Sequence, residues 1–449
     1  MRGAPVILGS TKGPDRPSVR PGGIALLGIA FATATGLGIA AWGPSLGFAC
    51  GVGVLLVYVF LRLCGLRATL LLASLLGLSP SAFGESSLAL SALCTTVLLT
   101  IVLSSPSDRH VTTTVRIVVF AVHACVGLGL VAVARSFTPI AGLYLVLGLA
   151  SAAMVVRQAL LTRLLKAVAL FVVTLTCSYF FSLLAGFNTQ LGQVVFPSGR
   201  HIDIYAPFTL TTGGTTLLGT PRFVLGVGEP GLNAFYVIPA FIYFASVSDR
   251  RARFTGCLAV ACAVLFSQSA GLIIAFIVAM AFNLIYAAVQ RRKFVRAILL
   301  ATLGALALPS VLAALFDYRV LNGGGSITDR GLFNAGGATS ASLGNINLVV
   351  ALQNNIVLGL LLILALAFLV PLAIRTALTG FAFTLFAITV VFLQPSQWQL
   401  GGWLLLTVSL VWLAGSHKRP EPSTLSSRGR IDVTTSAALS RLARVSRKT

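Results

Sequence analysis

The sequence predicts an all-α integral membrane protein, a polytopic bundle of about 12–14 transmembrane helices with two long extracytoplasmic loops. Three observations predict it. Of the 449 residues, 57% are hydrophobic and 9% are charged, with a mean hydropathy of +0.97, more apolar surface than a soluble fold can hide. Apolar runs of roughly 16 to 25 residues recur along the chain, and a helix needs about 20 to cross the hydrocarbon core. The lysines and arginines fall on one side of the crossings, as the positive-inside rule requires.

Taken in order, residues 1–22 are a basic tail of low hydrophobicity, expected to be cytoplasmic and either disordered or lying on anionic lipid. The polytopic domain follows over residues 23–415. Its first apolar run follows a basic stretch, as in a signal peptide, but is longer than a usual h-region and is followed by further spans, so it reads as a retained helix. About 14 runs are counted. They centre near Phe31, Val54, Ala73, Thr96, Val126, Val146, Val173, Pro239, Ala261, Phe276, Leu306, Leu360, Ile388 and Val408.

The third run, "ATLLLASLLGLSPSAF", is short. It is kept because each crossing switches side, and omitting it inverts the charge pattern on one side of it. With the N-terminus inside, 27 of the 32 lysines and arginines fall in cytoplasmic segments, among them "RLCGLR", "RQALLTRLLK", "SDRRAR" and "QRRKFVR". Residues 416–449 form a second basic tail, also cytoplasmic and expected to be disordered. The net charge of +22 is thus explained by topology and anionic headgroups, and nucleic acid is not an expected partner.

The seven cysteines lie in or beside apolar runs without paired spacing in an outer loop, so neither a disulfide framework nor a zinc site is indicated. No H-E-x-x-H, P-loop, G-x-G-x-x-G after a strand or G-x-S-x-G elbow occurs. Zinc proteolysis, ATP-driven transport and serine-hydrolase chemistry are therefore not expected. No internal repeat is evident.

The remaining polar length is concentrated in two outer loops, about residues 188–230 and 317–345. Long loops in compact domains are usually functional. The first alternates apolar and Thr-rich pieces with Gly and Pro, a composition read as partly re-entrant or interfacial. Topology leaves Glu85, Asp203, Glu229, Asp317 and Asp329 as the outer acids, and Arg135, Arg200, Arg222, Arg319 and Arg330, with His201, as the outer cations. Arginine forks beside a carboxylate suit an anionic substrate and a proton transfer. Plainer roles stand beside these: Arg222 as a snorkelling interfacial residue, Glu229 before Pro230 as a helix-start residue, and His201 as a solvated loop residue. His110 and His123 read as cytoplasmic or structural.

The segments "RFVLGVGEPG", "LFSQSAGLIIAFIV", "DRGLFNAGG" and "NINLVVALQNNIVLGLLLILALAF" resemble, in this order, the O-antigen ligase and Wzy-type polysaccharide polymerase family. The resemblance covers about Arg222 to Leu369. Arg222 matches the family's first arginine, Gly226 and Glu229-Pro230-Gly231 its turn, Ser267, Ser269 and Gly271 its later-helix element, and Arg330 its second-loop arginine. Two departures are plain. "GNINLVV" carries no histidine ahead of the late helix, which weakens the ligase role, and no glycine follows Arg222 or Arg330 at the ten-residue spacing of some polymerases.

The resemblance implies an undecaprenyl-pyrophosphate-linked glycan donor, arginines on the pyrophosphate, no metal or nucleotide cofactor, and transfer of the sugar to an acceptor hydroxyl. On that reading Arg222, Glu229 and Arg330 are catalytic, and Arg200, His201, Arg319 and Asp329 bind substrate. Expected partners are the lipid-linked donor, a glycan acceptor, membrane lipids, a chain-length regulator and a flippase. The leading expectation is a repeat-unit polymerase of the bacterial cytoplasmic membrane. Beside it stand a ligase that passes a finished glycan to a lipid or cell-wall acceptor, and a lipid-linked oligosaccharide flippase or other secondary transporter.

Overall fold

The computed structural model describes residues 44–78, 88–134, 138–195, 201–206, 209–212, 220–225, 230–290, 355–374, 377–388 and 400–416, with shorter stretches such as 30–37 and 292–296. The described chain is mostly helical. Its principal helices are α1 (Pro44–Cys64), α2 (Leu66–Gly77), α3 (Leu88–Leu103), α4 (Thr113–Ala134), α5 (Pro139–Met154) and α6 (Gln158–Leu184), then α7 (Ala234–Ser246), α8 (Arg250–Phe266), α9 (Ala270–Gln290), α10 (Ile356–Ala373), α11 (Ala377–Ile388) and α12 (Leu400–Ser416). Apolar runs centred on Val54 through Phe276, and on Leu360, Ile388 and Val408, each fall within one of them. Thr113–Ala132, Gln158–Leu184 and Ile356–Ala373 are long and apolar enough to cross a membrane.

The short third run forms α2, and Gly65, at φ +84°, makes the one-residue break that separates it from α1. Helix α12 is hydrophobic all round and buried from Leu400 to Ala414, the pattern of a helix surrounded by others. It touches α2, α4, α5, α6, α7, α10 and α11. Close approach there depends on Gly401, where a Cβ would sit 2.5 Å from the Leu75 carbonyl oxygen. The hydroxyl of Thr407 is satisfied within the helix, by the Trp403 carbonyl at 2.8 Å. Large apolar side chains such as Leu103, Phe181, Leu184, Phe254 and Ile374 face outward.

The two ends of the bundle differ chemically. At one end Lys166 Nζ donates to the Leu63 carbonyl (3.0 Å), Arg157 Nε to the Ser105 carbonyl (2.8 Å) and Arg109 Nη1 to Gln158 Oε1 (2.8 Å). Asp108 caps α6, its carboxylate accepting from the backbone N–H groups of Gln158 and Ala159, where a negative charge suits the helix dipole. Trp412 Nε1, late in α12, donates to Thr162 in the second turn of α6 (3.0 Å). At the other end α6 carries a sheet, Gln268 reaches that sheet from between α8 and α9, and Asn355, capping α10, approaches the Ala132 carbonyl near the end of α4. Followed through these contacts, α1, α3, α5, α7, α9, α10 and α12 run toward the cationic end, and α2, α4, α6, α8 and α11 run away from it.

The sheet is an addition to the all-α expectation. Strands β1 (Gln190–Val195), β2 (His201–Tyr205), β3 (Thr209–Thr212) and β4 (Arg222–Phe223) form an antiparallel meander in the order β1-β2-β3-β4. The stretch read as re-entrant or interfacial is, where described, a strand ladder that satisfies its own backbone groups laterally. Gly186 and Phe187, both at positive φ, turn the chain out of α6. Ser182 then donates to the Ala206 carbonyl (2.6 Å), and Ser178 and Ser182 bond the buried Thr209 hydroxyl at 3.0 and 2.7 Å.

Candidate functional site

The site is built around Arg222, on the edge strand β4. Cross-strand rows run Ile202↔Thr212↔Arg222 and Asp203↔Thr211↔Phe223. Because successive residues of a strand alternate faces, Arg222 shares a face with Ile202 and Thr212, while Asp203 shares the other with Phe223. The sheet therefore does not bring Arg222 and Asp203 together. Asp203 instead accepts from Gln190 Nε2 (3.0 Å) and Gln193 Nε2 (2.9 Å). Burial, and then the Asp203 carboxylate two residues away on the same strand face, push the Tyr205 hydroxyl above the ordinary phenol range.

His201 opens β2 and pairs with Val195. It lies one residue beyond Arg222's row and two strands away, roughly 10 Å at 4.7–4.9 Å per strand. Arg200, Glu229, Arg319, Asp329 and Arg330 lie outside the described residues.

Two buried side chains hold the segment leading into Arg222. The Tyr179 hydroxyl, from α6, donates to the Pro221 carbonyl at 2.7 Å and lies 3.2 Å from Thr220 Oγ1. Gln268 Nε2 donates to the Thr220 carbonyl (3.1 Å) and to Thr220 Oγ1 (3.0 Å). The Tyr179 ring stacks on Phe266 (centroids 4.7 Å apart) and meets Phe223 and Phe187 edge-on, each at 5.3 Å. Such aromatic pairs each contribute about 0.5–1.5 kcal/mol beyond area burial. Phe223 is thereby fixed against α6, and the neighbouring Arg222 is held on the opposite face.

Gln268 reaches Thr220 because it sits at φ +48°, a left-handed conformation uncommon for a non-glycine residue. It joins α8 to α9. The serines on either side belong to that junction: Ser267 Oγ donates to the Val264 carbonyl (2.6 Å), and Ser269 Oγ accepts from the Leu272 N–H (3.4 Å) as α9 begins. The two serines that carry the family resemblance thus cap helices, while the glutamine between them contacts the site.

A third side chain closes the loop after Arg222. Asn233 is fully buried at the end of the 3₁₀ turn Pro230–Asn233. Its Oδ1 accepts from the Leu225 N–H (2.9 Å) and its Nδ2 donates to the Phe223 carbonyl (3.1 Å). Residues 223–225 are thereby latched to the start of α7. Tyr179, Gln268 and Asn233 have no prominence in the sequence. The only local hints are a glutamine within a serine-flanked helix break and an asparagine immediately before an apolar helix.

Among the described residues no group of three or more His, Cys, Asp or Glu could hold a metal ion. His123 is buried in the bundle with both ring nitrogens engaged. Nδ1 donates to the Val119 carbonyl (2.9 Å), which leaves Nε2 to accept from the Ser151 hydroxyl at 3.4 Å.

Compared with protein-family models, curated proteins and solved structures, the chain matches none. What the described site offers chemically is a guanidinium on a sheet edge, buttressed from behind by an aromatic cluster and two amide side chains. A planar fork so placed suits the oxygens of a phosphate or carboxylate.

Proposed function

We propose that this chain is a membrane glycosyltransferase that joins undecaprenyl-pyrophosphate-linked oligosaccharide repeat units into a surface polysaccharide at the outer face of the bacterial cytoplasmic membrane. The observation that carries the reading is Arg222, held on the sheet edge by Tyr179 and Gln268 at the end of the bundle opposite the cationic one. In this proposal the helices form one polytopic bundle, with the cationic end and both termini in the cytoplasm. The 27 of 32 basic residues assigned to that side support the orientation.

In the proposed reaction an acceptor hydroxyl oxygen forms a bond to the anomeric carbon of the donor sugar while the bond from that carbon to the pyrophosphate oxygen breaks. The pyrophosphate leaves with the electron pair, and Arg222 and Arg330 stabilise the growing charge. Glu229 takes the hydroxyl proton. Arg200, His201, Arg319 and Asp329 are assigned to holding donor and acceptor.

The test is to express Arg222→Ala, Arg330→Ala and Glu229→Gln in a host lacking the native gene, at matched membrane levels, and to size the surface glycan. Single repeat units exported without long chains support the polymerase, with turnover down about 100-fold or more for loss of one charge-stabilising donor. Full-length glycan left on its lipid carrier points to a ligase instead. Normal glycan in all three variants refutes the site.

A further inference from the structure

At the cationic end a cavity of about 350 Å³ lies between the α1–α2 break, the α3–α4 link and the first turns of α6, within the range of small-ligand pockets. Cys64, Leu66, Pro106 and Leu160 line it, with Arg67 and Arg163 also contributing, and both arginines are exposed at its rim. From the cavity geometry we infer that it binds the phosphate-bearing headgroup of an anionic glycerophospholipid.

The charges around the cavity are unevenly committed. Asp108, the acid in the lining, spends its carboxylate on the N–H groups of Gln158 and Ala159. Arg157 is turned to the Ser105 and Ala153 carbonyls, and Lys166 to Leu63. Arg67 makes a long 3.4 Å contact to Ser105 Oγ, weak by the usual distance criterion. Two guanidinium groups thus line a cavity whose one acid is already hydrogen-bonded to a helix start, and the excess of positive charge favours an anion from outside.

The walls favour a lipid over a free ion. Leu63 is 48% exposed and Leu66 is 61% exposed beside the rim, so the cavity opens onto an apolar outer surface. A phosphodiester with acyl chains attached can place its charge on Arg67 and Arg163 and its chains along those leucines. Inorganic phosphate uses only the first half of that site. Basic pockets between membrane helices on the cytoplasmic side recur as headgroup sites.

The test uses the full-length protein in nanodiscs of equimolar phosphatidylglycerol and phosphatidylcholine, followed by delipidation and native mass spectrometry of the retained lipid. The wild type is expected to keep phosphatidylglycerol preferentially. Arg67→Gln with Arg163→Gln is expected to lower that preference about 25-fold, at roughly fivefold per arginine. The Arg67→Lys, Arg163→Lys pair should keep most of it, and Arg292→Gln with Lys293→Gln should leave it unchanged. Equal retention of the two lipids by the wild type overturns the inference without any variant having to fold. An equal loss in the Arg292 and Lys293 control reduces it to general surface charge and also overturns it. A thermal shift with inorganic phosphate that depends on Arg67 and Arg163, without lipid preference, assigns the site to a soluble anion instead. The inference rests on membrane embedding and not on the glycan chemistry. Altered lipid selectivity with normal glycan length, or the reverse, separates the two.

Discussion

Asn233→Ala is the most direct probe of how the candidate site is held. The side chain makes two hydrogen bonds, to the Leu225 N–H at 2.9 Å and the Phe223 carbonyl at 3.1 Å, and all three residues are buried. Alanine leaves a buried donor and a buried acceptor without their partner, at about 1–3 kcal/mol each, so the latch is expected to weaken by about 2–6 kcal/mol. Every 1.4 kcal/mol is tenfold, and local opening at the latch should become at least about 30-fold more frequent. Hydrogen exchange at the Leu225 amide reads this directly, because that proton is the one the asparagine oxygen accepts. Asn233→Asp keeps an acceptor for Leu225 but sets a second carboxylate oxygen against the Phe223 carbonyl in a fully buried site, so exchange at Leu225 should rise in this variant as well. Glycan chains should shorten in the alanine variant at equal membrane level, since Arg222 and Glu229 flank the latched segment. Unchanged exchange at Leu225 in Asn233→Ala would refute the latch and, with it, the account of how the loop is positioned.

Three further outcomes follow from the same geometry. Gln268→Ala removes both bonds to Thr220, and Gln268→Gly does so while relieving a left-handed backbone by about 1 kcal/mol. Both should shorten glycan chains to the same degree, with the glycine variant melting higher than the alanine one; a wild-type chain length in either rejects the clamp. Gly401→Ala places a methyl 2.5 Å from the Leu75 carbonyl oxygen, and should lower the melting temperature of the detergent-solubilised protein by an overpacking cost of about 1–3 kcal/mol. Tyr205 has a raised folded pKa, so its contribution to stability is fully present below the unfolded value near 10 and is lost as pH rises through the folded one. Tyr205→Phe should flatten the decline in melting temperature between about pH 9 and pH 11, and an identical alkaline profile in both proteins would remove Tyr205 from the account.

The helices were legible because each apolar run carries its own signal. Even α2, shortened by Gly65, was recovered by requiring that lysines and arginines stay on one side. The sheet was harder. "HIDIY" and "TLTT" do alternate with period two, but Gly and Pro between such short pieces and the membrane context favour an interfacial reading, and strand pairing is a property of segments not adjacent in sequence. Arg222 stood out because arginines are scarce in the segments read as outer loops. Its supports did not: Tyr179 sits within an apolar helix, Gln268 owes its reach to an unusual φ, and Asn233 acts across ten residues. Sequence exposes a scarce charge more readily than the neutral groups that hold its segment in place.

Helix α6 joins Lys166 and Thr162 near one end to Ser178, Tyr179 and Ser182 near the other. It is 27 residues long, about 40 Å at 1.5 Å per residue. Each residue also advances the helix by about 100°. Deleting one residue from its middle would turn the serines and tyrosine about a quarter of a revolution away from the sheet while Thr162 still faced Trp412. Restoring the phase takes about seven residues, two turns, which changes the length by roughly 10 Å. No small insertion or deletion keeps both angle and reach, so this helix is expected to vary in side chains while keeping a fixed length.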